Sequence, residues 1–260
     1  MNKWLKLSID YANNNSYLDD LLQVYPIIMG SPRTLDLKIW GDIENAFNTQ
    51  NNIFLIESLL KLELFPVKDS YVGSLRIDSN NITKNPKTIK RICTNLYTMG
   101  LTKIKEECIK PKETNRQMAP HFKTWARKSL GFPLNKLNIF QQTTANAILD
   151  AGDKVLSTFA KSLGYNNGDK GLDIVVRSNN TYVFGEAKFI TTEGGNQDKS
   201  FAEIIGILSS FKNTKNTQCI AIIDGISWFK DSAHYKLLTT NYKDYNIMSA
   251  LVLKEFLSKI

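Results

Sequence analysis

Asp173, Glu186 and Lys188, in the stretch GLDIVVRSNNTYVFGEAKF (171–189), are two carboxylates and an amine spaced so that one short hairpin brings them together. Carboxylate oxygens suit a hard divalent cation such as Mg2+, which takes near-octahedral oxygen ligands and keeps several of them as water. Asp173 and Glu186, with the main-chain carbonyl of Ala187, supply part of such a shell and leave positions for water and a phosphate oxygen. Lys188 then stands where it can hold or deprotonate an attacking water. The chemistry that this set suits is metal-assisted hydrolysis of a phosphodiester. Rival chemistries lack their residues: His121 and His234 lie far apart, against a His-rich metal nuclease or a Ser-His-Asp hydrolase. Cys93, Cys108 and Cys219 are scattered and odd in number, which points to buried free thiols and to neither a disulfide framework nor a zinc site.

The elements that must position these residues follow from their surroundings. Leu172 to Arg177 is apolar and β-branched, Ser178-Asn179-Asn180 is a turn cluster, and Thr181 to Phe189 reads as the returning strand. Residues two apart on a strand share a face, so Glu186 and Lys188 project together and Ala187 turns inward. Before the hairpin, the apolar spacing predicts one long helix over Thr143 to Leu163, carrying Asp150 and Asp153, broken by Gly164-Tyr165-Asn166-Asn167-Gly168. After it come a glycine-rich loop (191–199), an amphipathic helix over Gln197 to Phe211, a buried strand over Cys219 to Ile223, and a last strand over Ile247 to Leu253 before a terminal helix. Amides at the start of the helix behind Gly194-Gly195 favour an anion such as a phosphate. This order predicts an α/β fold, a mixed central sheet flanked by helices.

The N-terminal half reads as mainly helical. Asn52 to Phe65 carries a helical apolar stripe that stops before Pro66, and Lys87 to Met99 follows Asn85-Pro86 and ends at Gly100. The stretch 81–101 suits either a helix-turn-helix with Lys87, Lys90 and Arg91 toward phosphate or an ordinary amphipathic helix in a bundle. The net charge of +8 is concentrated: Lys84 to Lys128 holds twelve Lys or Arg against three acids, and the remainder is close to neutral. Such a segment ahead of an acidic cluster suits a polyanion held in one place and cut in another, although a solvated lysine-rich face would look the same. Within it, PKETNRQMAPHFKTWARKSLGF (111–132) mixes Asn115, Arg116 and Gln117, able to bond base edges, with Lys112, Lys123, Arg127 and Lys128 for phosphates. The length of 260 residues and the 42% apolar content support a proper core. No apolar run is long enough to span a membrane, and MNKWLKLSIDYANNN lacks the apolar stretch of a signal peptide, so the expected location is cytoplasmic.

Asp173, twelve intervening residues and Glu186-x-Lys188 resemble the PD-(D/E)xK nuclease motif, with Leu172 in the place of the usual proline. EAKFITTEGGNQDKSF (186–201), and Glu113-Thr114-Asn115-Arg116-Gln117 followed by Pro120-x-Phe122-Lys123-x-Trp125, are similar to stretches of type II restriction endonucleases. The resemblance implies a restriction-endonuclease-like core over 136–260 and a basic, DNA-recognising region over 1–135. It implies a Mg2+-dependent homodimer that cuts a short, specific double-stranded DNA sequence, leaves 5′-phosphate ends, and has a cognate DNA methyltransferase as its genetic partner in a restriction–modification system. By the same resemblance Asp173, Glu186 and Ala187 hold the metal, Lys188 serves the water, and Asp153 is a candidate accessory acid. Asn115, Arg116, Gln117, Lys123, Asn196 and Gln197 are then the candidate DNA contacts. Two other readings remain open on the sequence: a repair or junction-resolving nuclease on the same core, and a DNA-binding regulator with an incidental acidic hairpin.

Overall fold

Short polar side chains fix where many of the helices begin. Asn2, Asp36, Asn51, Ser232 and Ser249 each accept a hydrogen bond from a first-turn amide, a contact that stabilises a helix by about 1 kcal/mol. The computed structural model describes residues 1–27, 32–111, 117–165, 171–211 and 213–260. The chain divides into two compact units, Met1–Ile27 with Thr114–Ile260, and Ile28–Glu113. The expected boundary at 135 therefore falls inside the first unit, which takes in helices from both ends of the 1–135 stretch.

That unit starts with α1 (Lys3–Asn14) and α2 (Tyr17–Val24). The second unit holds α3 (Leu37–Asn48), α4 (Asn52–Leu60), α5 (Val72–Ile77), α6 (Asn80–Lys84), α7 (Pro86–Met99) and α8 (Leu101–Cys108). Its core is built from Trp40, Ile43, Leu55, Ile56, Leu59, Ile89, Ile92 and Leu96, the apolar stripes of α3, α4 and α7. As the sequence predicts, α7 starts at a proline and stops at Gly100, whose φ of 79° suits glycine. Only Asn85 separates α6 from α7, which is too short for the turn of a helix-turn-helix, so the bundle alternative is the one observed. Lys87 and Lys90 are exposed, whereas Arg91 bonds Asp69 at 2.5 Å.

The first unit resumes with α9 (Met118–Ser129), β1 (Leu134–Asn135), α10 (Leu137–Gln142), β2 (Ala147–Leu149), α11 (Asp153–Ser162), β3 (Ile174–Ser178) and β4 (Thr181–Ile190). It continues with α12 (Gly195–Ser210), β5 (Thr217–Gly225), α13 (Ala233–Thr240), β6 (Ile247–Met248) and α14 (Ala250–Lys259). The strands form one mixed sheet in the order β1-β2-β3-β4-β5-β6, antiparallel across β2, β3 and β4 and parallel elsewhere. With its flanking helices this is the expected α/β class.

Two predicted elements are corrected. The helix expected over 143–163 is two elements, because Ala147–Leu149 is fully buried and pairs with both β1 and β3, and Gly152 then restarts the chain as α11. Asp150 consequently lies directly after β2, its amide donating to the Asn135 carbonyl at 2.8 Å, and Asp153 is the first residue of α11. The strand expected over 247–253 ends at Met248, because Ser249 caps α14. Both apolar patterns read equally well as helix or strand; sheet pairing decides the first and the Ser249 cap the second.

Alternation along the strands separates two faces. Ile174, Gly185, Ile220 and Ile222 meet on one face, and on it Phe189 packs edge-on against Tyr25, with ring centroids 4.9 Å apart. Asp224 continues that face of β5 and is fully buried. Its carboxylate accepts hydrogen bonds from the hydroxyls of Tyr17 (3.1 Å), Tyr25 (2.9 Å) and Ser249 (2.5 Å) and from the Ala250 amide (3.1 Å). Burial pushes Asp224 up to about 6, with those four donors pulling the other way. The folded chain thus binds this proton more tightly than the unfolded chain does. The contribution to stability is fully present below the ordinary carboxylate pKa of about 4 and is lost as pH rises through about 6. Urea unfolding should show the stability of the wild type relative to Asp224→Asn falling by about 2 kcal/mol between pH 4 and pH 7. A difference that does not change with pH would contradict this account of Asp224.

Candidate active site

Asn179 and Asn180 adopt φ of 46° and 67°, the left-handed pair of a two-residue hairpin turn, and so fix how β3 meets β4. The ladder runs from Ser178 opposite Thr181 to Ile174 opposite Gly185. Carried one residue further, it sets Asp173 opposite Glu186, and the Asp173 amide still donates to the Gly185 carbonyl at 3.1 Å. Gly185 allows this closeness, since a Cβ there would lie 2.6 Å from Ile174 Cγ2 and 3.0 Å from Ile222 Cδ1.

The three residues singled out in the sequence come together on the face away from Asp224. The Asp173 carboxylate accepts the Ala187 amide at 2.8 Å, and Lys188 Nζ donates to Glu186 Oε1 at 2.8 Å. Ala187 is buried, as alternation requires. Burial raises the pKa of Glu186 and the Asp173 charge raises it further, with Lys188 and Lys123 acting in the opposite sense. For Lys188 burial acts to lower the pKa, but the charges of Glu186, Asp173 and Glu203 outweigh it and leave the amine raised. Lys188 therefore keeps its proton here and acts as a hydrogen-bond donor.

Other residues belong to this neighbourhood. Lys123 on α9 reaches Asp173 Oδ1 at 3.0 Å and Asp153 Oδ1 at 2.6 Å. Gly171 sits so close to Asp153 that a Cβ on it would lie 2.7 Å from Asp153 Cβ. Tyr165 packs against Phe184 and Phe211, and its pKa is raised by burial and then by Cys219, Glu186 and Asp173. Glu203 on α12 is near enough to Lys188 to act on it. Nothing in the sequence distinguishes Tyr165 or Glu203 from other residues of their types, and Lys123 is legible there as a candidate DNA contact and not as a partner of Asp173.

The other candidates are placed as follows. Asn115 and Arg116 lie outside the described residues. Gln117 is the residue that precedes α9, and Asn196 and Gln197 lie in the first turn of α12. The Gly194 amide in front of that turn already donates to Asp198 at 2.9 Å, and Asp198 also meets His234 Nε2 at 3.0 Å. Asp150 is paired with Lys136 at 2.6 Å and Arg127 at 3.3 Å.

Against this geometry, a family model described as the Tsp45I type II restriction enzyme matches residues 2–260. The chain belongs to that family. It is accordingly a type II restriction enzyme, a hydrolase that cuts within DNA. Comparison with curated proteins and with solved structures gave no match. No helix among the described residues of this family member is long and apolar enough to cross a membrane.

The enzyme's donor set fits a hard cation. Among the described residues no three His, Cys, Asp or Glu side chains are gathered as a metal cluster, but two buried, mutually repelling carboxylates already draw in an ammonium at each side. Replacing Gly185 by alanine would push β3 off β4 at the pair next to Asp173 and Glu186. Gly185→Ala should lower unfolding stability by about 1–3 kcal/mol in urea titrations and slow DNA cleavage more than it weakens DNA binding. Unchanged stability and cleavage would mean that the strand spacing is not limiting.

Proposed function

We propose that the enzyme hydrolyses a short, specific double-stranded DNA sequence by Mg2+-dependent PD-(D/E)xK chemistry. The observation that carries this is the meeting of Asp173, Glu186 and Lys188 on one hairpin face, with the Ala187 amide holding the Asp173 carboxylate. Asp173, Glu186 and the Ala187 carbonyl would hold the cation. When bound, Mg2+ supplies Lewis-acid stabilisation of the phosphate and a more acidic bound water. Asp173 is aimed by its bond from Ala187, and Glu186 is set by Lys188. Lys188, bonded to Glu186 on the same face, would stand beside the cation and position or activate the attacking water. Attack by water on phosphorus with departure of the 3′ oxygen leaves 5′-phosphate ends.

DNA contacts are proposed at Asn115, Arg116, Gln117, Asn196 and Gln197, with exposed Lys84, Lys87, Lys90 and Lys128 available to phosphates. A homodimer would match a palindromic site, and a DNA methyltransferase encoded nearby would protect the host's own copies of it.

Plasmid digestion in Mg2+ tests the reading. Wild-type protein should give discrete fragments, while Asp173→Asn and Glu186→Gln should each lose at least about a hundredfold in rate. Lys188→Met should bind DNA in a gel-shift assay and fail to cut it. Wild-type rates in Asp173→Asn would remove the hairpin from the chemistry, and preferential cutting of branched DNA would favour junction resolution.

A further inference from the structure

Lys123 is joined to two acids from different parts of the chain, Asp173 at the mouth of β3 and Asp153 at the start of α11. Its side chain is 22% exposed and that of Asp173 10%, whereas Asp153 is 54% exposed at the first position of its helix. An ammonium this enclosed is poorly placed to meet a phosphate, because leaving would strip a buried carboxylate of its counter-charge. It also touches an oxygen of the very carboxylate proposed to bind the cation, and two cations at one oxygen repel each other.

We propose that Lys123 is a built-in counter-ion that competes with the divalent metal for Asp173, and that Asp153 is the acid onto which it withdraws when the metal arrives. This rests on the reading that Asp173 and Glu186 hold the cation. Asp153 suits the receiving role: it is solvent-facing, close to Gly171, and at a helix N-terminus, where a carboxylate is favoured. Lys123 keeps Asp173 and Glu186 from facing each other uncompensated while no metal is present. The same contact weakens metal binding to the free protein. Lys123 is thus a positioning residue that sets how much metal the enzyme needs, and Asp153 serves it by holding its ammonium and not by activating water.

The test is Mn2+ binding to the full chain without DNA, followed by loss of the free-ion electron paramagnetic resonance signal. Lys123→Met should tighten the Mn2+ dissociation constant about tenfold or more. Lys123→Gln should do the same, which covers the case where the methionine variant fails to fold. Lys123→Arg, which keeps the charge, and Lys154→Met, which removes an exposed charge on α11, should each stay within about twofold of wild type. Asp173→Asn should lose binding. If Asp173→Asn loses binding and neither Lys123→Met nor Lys123→Gln tightens it, the competition is overturned and the cation reading stands. If Asp173→Asn binds Mn2+ as wild type does, the cation reading itself falls.

Discussion

The antiparallel register of β3 against β4 is the constraint on which the rest of the site depends. A sheet has a side-chain period of two, so a slip of one residue would send Glu186 and Lys188 to the face now occupied by Ile174 and Ile222. Three local facts prevent that slip: the left-handed Asn179-Asn180 turn, the small Gly185 opposite Ile174, and the amide of Ala187 donating to the Asp173 side chain. Each is a short-range steric or hydrogen-bonding condition. Together they decide where two negative charges meet.

That meeting is electrostatically unfavourable in a protein interior, and the surrounding elements answer it from both sides. Lys188 meets Glu186 from within the strand, and Lys123 meets Asp173 from α9. On the opposite face of the sheet a second buried carboxylate, Asp224, is stabilised quite differently, by hydroxyl and amide donors without any cation. The contrast separates an acid held by hydroxyls and amides from a pair held by ammonium groups. Asp224 has its hydrogen-bonding capacity filled by hydroxyls and amides, whereas Asp173 and Glu186 each bond a lysine ammonium.

Much of the hairpin was legible in the sequence because its signals are local: a β-branched run, an Asn-Asn turn, and the two-residue spacing of Glu186 and Lys188. The helices of the second unit were legible for the same reason, α7 above all, bounded as it is by Pro86 and Gly100. The short strand Ala147–Leu149 was not, since three apolar residues carry no period and only pairing with β1 and β3 makes them a strand. Nor was the role of Lys123, which depends on α9 being brought beside β4. Arg91 shows the same limit in reverse, because its partner Asp69 lies 22 positions away and removes one of the charges that the sequence offered to DNA.

Tyr17 meets Asp224 across 207 positions, and Tyr25 meets it across 199. The Ile28–Glu113 unit, in contrast, draws its core from its own stretch of chain. Local contacts form quickly and distant ones slowly, so the helical unit can mature early while α1 and α2 must wait for β5. A chain still being synthesised would then hold an ordered helical unit before its sheet is complete. For a protein that cuts within DNA, the unit holding the six-stranded sheet is then completed only when the two ends of the chain have met.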